Sequence, residues 1–301
     1  MTGANRAEGW TDAADGLAGG GRGTDAVGTA SAGGGGAVSR TGAAIDAATA
    51  DGRAALIAYL PVGFPDVAGS IDAVRALVDG GTDVIELGLP YSDPVMDGPV
   101  IEAAVTHALA AGTRVDDTFR AVEALAPLGV PVLVMSYYNP IFHTGVARCA
   151  ARLADAGGAG LITPDLIPDE AEDWIAASDA LGLDRVFLVA PTSTDARVRR
   201  VADASRGFVY VASTMGVTGE RTTLSDAART LSARTRAAGA TRACVGVGVS
   251  TPAHAAEVAS YADGVIVGSA FVRLLRDAAT PAEAHRSLRA LAATLRGAAH
   301  R

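Results

Sequence analysis

The chain is 301 residues long, 49% hydrophobic, and carries a formal charge of −8. That length and apolarity exclude wholesale disorder and suit one barrel-sized domain of ~250 residues with an appendage; the acidic balance disfavours a nucleic-acid partner, which would need clustered cations. No apolar run reaches the ~18 residues of a membrane helix, and the chain does not open on a basic region followed by an apolar stretch, so a cytoplasmic protein with no membrane partner is expected.

Residues 1–40 are rich in Gly, Ala, Thr and Asp, with pure glycine runs at Gly19–Gly21 and Gly33–Gly36. Such a segment cannot bury enough apolar area to offset its ordering entropy and reads as a disordered tail. Its removal is expected to leave stability and turnover unchanged, and residues 41–301 form the catalytic domain. Ala43–Ala50 reads as a short helix. After it come short apolar runs that read as strands: Leu56–Leu60, Val84–Leu87, Val130–Tyr137, Gly160–Thr163, Val186–Ala190, Phe208–Ala212, Cys244–Val249 and Gly264–Val267. Between and after them lie stretches of helical period, including Ile71–Asp79, Val146–Ala156, Glu170–Leu181, Leu224–Ala238 and Pro281–Leu295. Near-continuous apolar strands are what a parallel sheet buried on both faces requires. Eight such units predict an α/β chain folded as a (β/α)8 TIM barrel.

In a barrel of this kind, chemistry sits on the loops after the strand C-termini. The second strand holds Glu86 among Val84, Ile85 and Leu87, where an unpaired carboxylate is costly and its pKa should rise toward neutrality. The loop after it carries Asp93 and Asp97 beside prolines, either of which could simply form a turn; together with Glu86 they offer two environments for two proton-transfer roles. Gly246 and Gly248 end the seventh strand, and Gly268-Ser269 ends the eighth, the usual phosphate position of the fold. The loop Ser213–Glu220 has glycines at 216 and 219 and suits a hinged lid. Tyr59, Tyr137, Tyr138 and Tyr210 fall at or near strand ends, which suggests a flat apolar ligand. All 25 cationic side chains counted as Lys plus Arg are Arg. Without lysine the chain can form neither a lysine Schiff base nor a Walker phosphate loop. Cys149 and Cys244 fit no metal spacing and read as buried thiols; no cofactor or metal is expected.

The segment Glu86-Leu87-Gly88-Leu89-Pro90-Tyr91-Ser92-Asp93-Pro94-Val95-Met96-Asp97-Gly98-Pro99 resembles the tryptophan synthase alpha chain family. Tyr59–Pro65, Ser136–Pro140, Gly216–Gly219 and Gly268–Ala270 match the family as well. The resemblance runs from about Gly52 to Leu275. It implies a lyase that splits indole-3-glycerol phosphate into indole and glyceraldehyde 3-phosphate, without a cofactor and with a beta subunit as partner in an alpha2beta2 assembly. It places the catalytic glutamate on Glu86 and the catalytic aspartate on Asp97. The aromatic lining of the indole pocket falls on Tyr59, where relatives also have phenylalanine. Tyr210 matches the tyrosine near the glutamate, and Thr218 matches the lid threonine. Phosphate contacts match Gly219, Gly248, Gly268 and Ser269, with Gly246 and Tyr137 completing the expected substrate contacts. Met96 and Ile167 depart from the family pattern, and the tail has no counterpart in it. The same residues leave room for a lyase that acts alone and releases free indole, and for a non-catalytic activator of the beta chain.

Overall fold

The computed structural model describes residues 38–212, 221–246 and 248–300. Eight parallel strands close into a barrel in sequence order: β1 (Ala55–Pro61), β2 (Val84–Gly88), β3 (Val132–Met135), β4 (Gly160–Thr163), β5 (Asp184–Val189), β6 (Val209–Ala212), β7 (Ala243–Gly246) and β8 (Gly264–Val267). β8 pairs back onto β1, so no strand edge is left open.

All seven β1 residues and all five of β2 are buried, because helices cover the outside while side chains fill the inside. Direction therefore alternates beneath uniform burial. Ile57, Val84, Leu133, Val186, Phe208 and Cys244 pack together as the lower filling of the barrel. Leu56, Leu60, Leu87 and Val134 belong to the larger cluster shared with the outer helices. Cys149 and Cys244 are buried free thiols.

β3 and β7 fall furthest short of their apolar runs. β3 begins only after Pro131, which has no N–H to give the ladder, and Tyr137 already caps the helix Tyr138–Thr144. β7 stops at Gly246, and Gly248 adopts φ +67°, a left-handed conformation that no strand continues through.

The helix Arg40–Ala50 seals the N-terminal mouth. Ser39 caps it by accepting the Gly42 N–H at 2.8 Å, and Ile45 and Ala48 pack against the lower filling of the barrel. Three polar ties hold it there. The Thr41 N–H donates to Asp184 Oδ2 at 3.1 Å, the Arg40 guanidinium donates to the carbonyls of Gly157 and Gly158, and Arg242 Nε donates to Asp46 Oδ1 at 2.6 Å. The ordered structure thus includes Ser39 and Arg40, inside the segment expected to be tail; residues 1–37 lie outside the described residues. Among the described residues, no helix is long and apolar enough to cross a membrane.

Candidate active site

With the N-terminal mouth sealed, the open end of the barrel is the one formed by the strand C-termini. It holds a cleft of about 260 Å³ lined by Tyr59, Glu86, Asp97, Tyr210, Gly248 and Gly268 among others. Glu86 stands at its floor, only 2% exposed, and among the described residues its Oε2 has no hydrogen-bond partner. Burial, reinforced by the negative charge of Asp97, pushes its pKa up to about 8. Glu86 is therefore protonated at neutral pH and close enough to its titration point to exchange protons in either direction.

Asp97 comes from the loop after β2 and is anchored by Tyr137. The Tyr137 hydroxyl donates to Asp97 Oδ1 at 3.0 Å while accepting the backbone N–H of Met96 at 2.9 Å and of Val95 at 3.2 Å. One phenol thus pins three consecutive loop residues. Burial raises the Asp97 pKa, and the Tyr137 hydrogen bond opposes that rise. Tyr137 does not itself line the cleft; it acts behind the loop rather than on its open face. Asp93 is exposed and accepts from the Ser92 hydroxyl at 2.6 Å, away from the cleft lining, as expected of a turn former.

Tyr59 and Tyr210 complete the polar floor, and neighbouring glycines make room for both. The Tyr59 phenol fills the space that a Cβ on Gly88 would take, and a Cβ on Gly246 would meet the Tyr210 hydroxyl at 2.5 Å. At the far side, Gly248 and Gly268-Ser269 converge at the ends of β7 and β8. Gly268 stands at the N-terminus of the helix Ser269–Asp277, so free N–H groups and the positive end of a helix dipole face the cleft. Thr218 and Gly219, with the rest of the expected lid, lie outside the described residues. Tyr138 points elsewhere: its N–H donates to Asp165 Oδ1 and its ring lies by Phe142.

Met135, Ile162, Leu188 and Ile266 also line the cleft, and nothing in the linear sequence singled them out. They sit on the inward face of β3, β4, β5 and β8, and the only signal pointing to them is register, since Met135 pairs with Ile162 and Leu188 with Tyr210. Met96 and Ile101 add apolar surface from the loop side and the helix Pro99–Ala110. The result is an apolar slot with two carboxylates at one end and, at the other, glycines beside a helix N-terminus.

The family model for the tryptophan synthase alpha chain matches residues 45–300. The chain belongs to the tryptophan synthase alpha chain family. Among named relatives, the tryptophan synthase alpha chain of Thermobifida fusca is 59% identical over 253 residues, covering 82% of this chain and 93% of that one. That of Salinispora arenicola is 55% identical over 260 residues, covering 86% and 97%. Among solved structures, tryptophan synthase of Mycobacterium tuberculosis superposes with a TM-score of 0.82 at 52% identity, covering 88% of this chain and 99% of that one. Tryptophan synthase subunit alpha of Legionella pneumophila gives 0.79 at 30%, covering 87% and 98%. The tryptophan synthase alpha chain match takes in all eight strands together with Glu86 and Asp97, and begins within the helix that seals the barrel.

Proposed function

We propose that this chain cleaves indole-3-glycerol phosphate into indole and glyceraldehyde 3-phosphate by a retro-aldol reaction, with Glu86 as proton carrier and Asp97 as the group that holds the indole N–H. The observation that carries this reading is a protonated, buried glutamic acid beside a half-buried aspartate at one end of an apolar slot, with an anion site at the other. Glu86 gives its proton to indole C3, which leaves the ring nitrogen electron-poor. The Asp97 carboxylate accepts the N–H and stabilises that charge, in the position that its bond to Tyr137 maintains. The Glu86 carboxylate then takes the proton of the adjacent carbinol hydroxyl. The C=O bond forms, the bond to C3 breaks, and its electron pair returns to the ring. Glu86 is again protonated and no proton is left over. The phosphate, bound by Gly248, Gly268 and Ser269, and by Gly219 of the lid with Thr218, keeps the reacting end in register. Tyr59 and Tyr210 flank the indole and the glycerol chain.

A beta subunit that receives the indole is the partner this reading implies. The loop carrying Asp97 supports it: Val95 is 75% exposed two residues from the catalytic carboxylate, so a partner seated there would act directly on Asp97. The test is cleavage of indole-3-glycerol phosphate by the purified chain, with and without the cognate beta subunit. The partner is expected to raise turnover at least ~10-fold, and Glu86→Gln to lower it by ~10²-fold or more with folding retained. An unchanged rate at saturating partner would favour the lyase acting alone.

A further inference from the structure

Tyr59 differs in chemistry from a phenylalanine by one hydroxyl, and that hydroxyl occupies a defined place. Tyr59 stands in register with Glu86 across the β1–β2 ladder, so the two side chains enter the barrel side by side. The ring crosses the top of β1. One edge lies against Gly268 on the β8 side, where a Cβ would sit 3.1 Å from Tyr59 Cδ1, and the hydroxyl end lies over Gly88 of β2. Gly88 is two residues beyond Glu86 on the same face, about 7 Å further along the strand. The hydroxyl is thus set toward the cleft mouth from the Glu86 carboxyl, on the path between the glycines of the anion site and the two carboxylates.

Among the described residues the Tyr59 hydroxyl has no hydrogen-bond partner, although the residue is 5% exposed and lines the cleft. It faces the cleft and is not among the buried unpaired polar atoms, so a ligand seated there can take its proton. The space for this hydroxyl comes from the absence of a side chain at Gly88. Its surroundings also say what form it takes. Burial and the nearby charges of Asp97 and Glu86 hold its pKa well above the ordinary value, so it is a donor throughout the neutral range.

We propose that the Tyr59 hydroxyl donates a hydrogen bond to the glycerol chain of the substrate, at the carbinol oxygen beside Glu86, and so makes Tyr59 a selector for a hydroxylated linker between the indole and the phosphate. The inference rests on the cleavage proposed for this cleft, in which the phosphate lies at β7–β8 and the indole near Asp97. A linker joining those ends passes the β1 position, and its carbinol must lie within reach of Glu86 for proton transfer. A neutral donor at that oxygen fixes which way the O–H points and orients its proton toward the glutamate. The contact needs no charged side chain, which leaves the proton balance of the cleavage unchanged.

The test uses the full chain carrying Glu86→Gln, in which turnover is expected to be at least ~10²-fold slower, with and without Tyr59→Phe. Two ligands are titrated calorimetrically: indole-3-glycerol phosphate and indole-3-propyl phosphate, whose linker lacks both hydroxyls. Tyr59→Phe is expected to weaken the first by about three- to tenfold, the worth of one net hydrogen bond, and to leave the second within about twofold. Equal weakening of both ligands would show that Tyr59 contributes shape alone and would overturn the inference. No effect on either would overturn it as well. Failure of both ligands to bind the Glu86→Gln chain would instead sink the substrate assignment on which it depends. In the chain with Glu86 intact, the Tyr59→Phe loss should appear partly in kcat, because a misdirected carbinol proton slows its transfer.

Discussion

A carboxyl group inside a β-strand is destabilising when ionised, and Glu86 avoids that cost by keeping its proton. In the fold its pKa is near 8, against 4.5 for the unperturbed group. Between those values the folded chain holds a proton that the unfolded chain has released. The stability this site contributes is therefore complete below pH 4.5 and is lost as pH rises toward 8. Glu86→Gln has no such dependence, so it should gain stability relative to the parent chain as pH rises, by several kcal/mol at most. Urea unfolding of both at about pH 5 and about pH 9 measures this, and parallel curves at the two pH values would contradict it. In the proposed cleavage, catalysis depends on the same proton. The alkaline limb of kcat/KM should fall near pH 8, where Glu86 loses the proton needed at C3, and the acid limb should lie above the ordinary aspartate value because burial raises Asp97. Asp97→Asn removes the charge that helps to keep Glu86 protonated, so the residual activity of that variant should show an alkaline limb moved to lower pH.

Among the secondary elements, glycine spacing separates what the barrel needs from what the site needs. Gly160 faces Asp184 across the β4–β5 ladder, and a Cβ there would run into the Asp184 carbonyl. A backbone atom inside a closed barrel cannot step aside, so Gly160→Ala should cost about 3 kcal/mol of stability. Gly246 is crowded instead by the end of the Tyr210 side chain, which can swing. Gly246→Ala should therefore cost only about 1 kcal/mol but displace a phenol from the cleft and lower kcat well beyond what the stability loss explains. Thermal melts and steady-state rates on the two variants separate the cases; equal stability losses would show that the Tyr210 ring is as fixed as the ladder. The loop after β2 follows the same division. Its polar, proline-punctuated sequence suggests freedom, yet the single hydroxyl of Tyr137 holds Val95, Met96 and Asp97 together.

Over the whole molecule, a barrel needs a lid at its inactive end as well as strands. The helix Arg40–Ala50 provides it, with its cap at Ser39 and its first ion-supported contacts from Arg40. Removing residues 2–40 thus takes away more than tail. Compared with a chain that begins at Val38, it should lose about 1–2 kcal/mol from the missing cap and guanidinium contacts, a drop of several degrees in Tm, with kcat for cleavage little changed because the cleft lies at the opposite end. Identical melting curves for the two chains would mean that the helix re-caps without cost.

Much of this protein was legible in the residues alone. Eight apolar runs alternating with helical stretches point to a parallel α/β fold, and eight such units in one domain's length favour a barrel over a doubly wound sheet; the closure itself is seen in the pairing of β8 with β1. Glu86 stands out because an ionised carboxyl in such an apolar strand is expensive, and Gly248 and Gly268-Ser269 stand out because glycine at a strand end lets backbone N–H groups come close to a ligand. What remained hidden depended on contacts made across the fold. Continuous burial erases the period-two pattern, so nothing in the strands marked Met135, Ile162, Leu188 and Ile266 as inward facing before register was known. Tyr137 meets Asp97 across 40 residues of sequence, and Thr41 meets Asp184 across 143. Local composition carries no record of such pairings. They exist only once closure of the barrel brings distant strand ends within hydrogen-bond reach, and that closure turned a lone buried glutamate into one end of a binding slot.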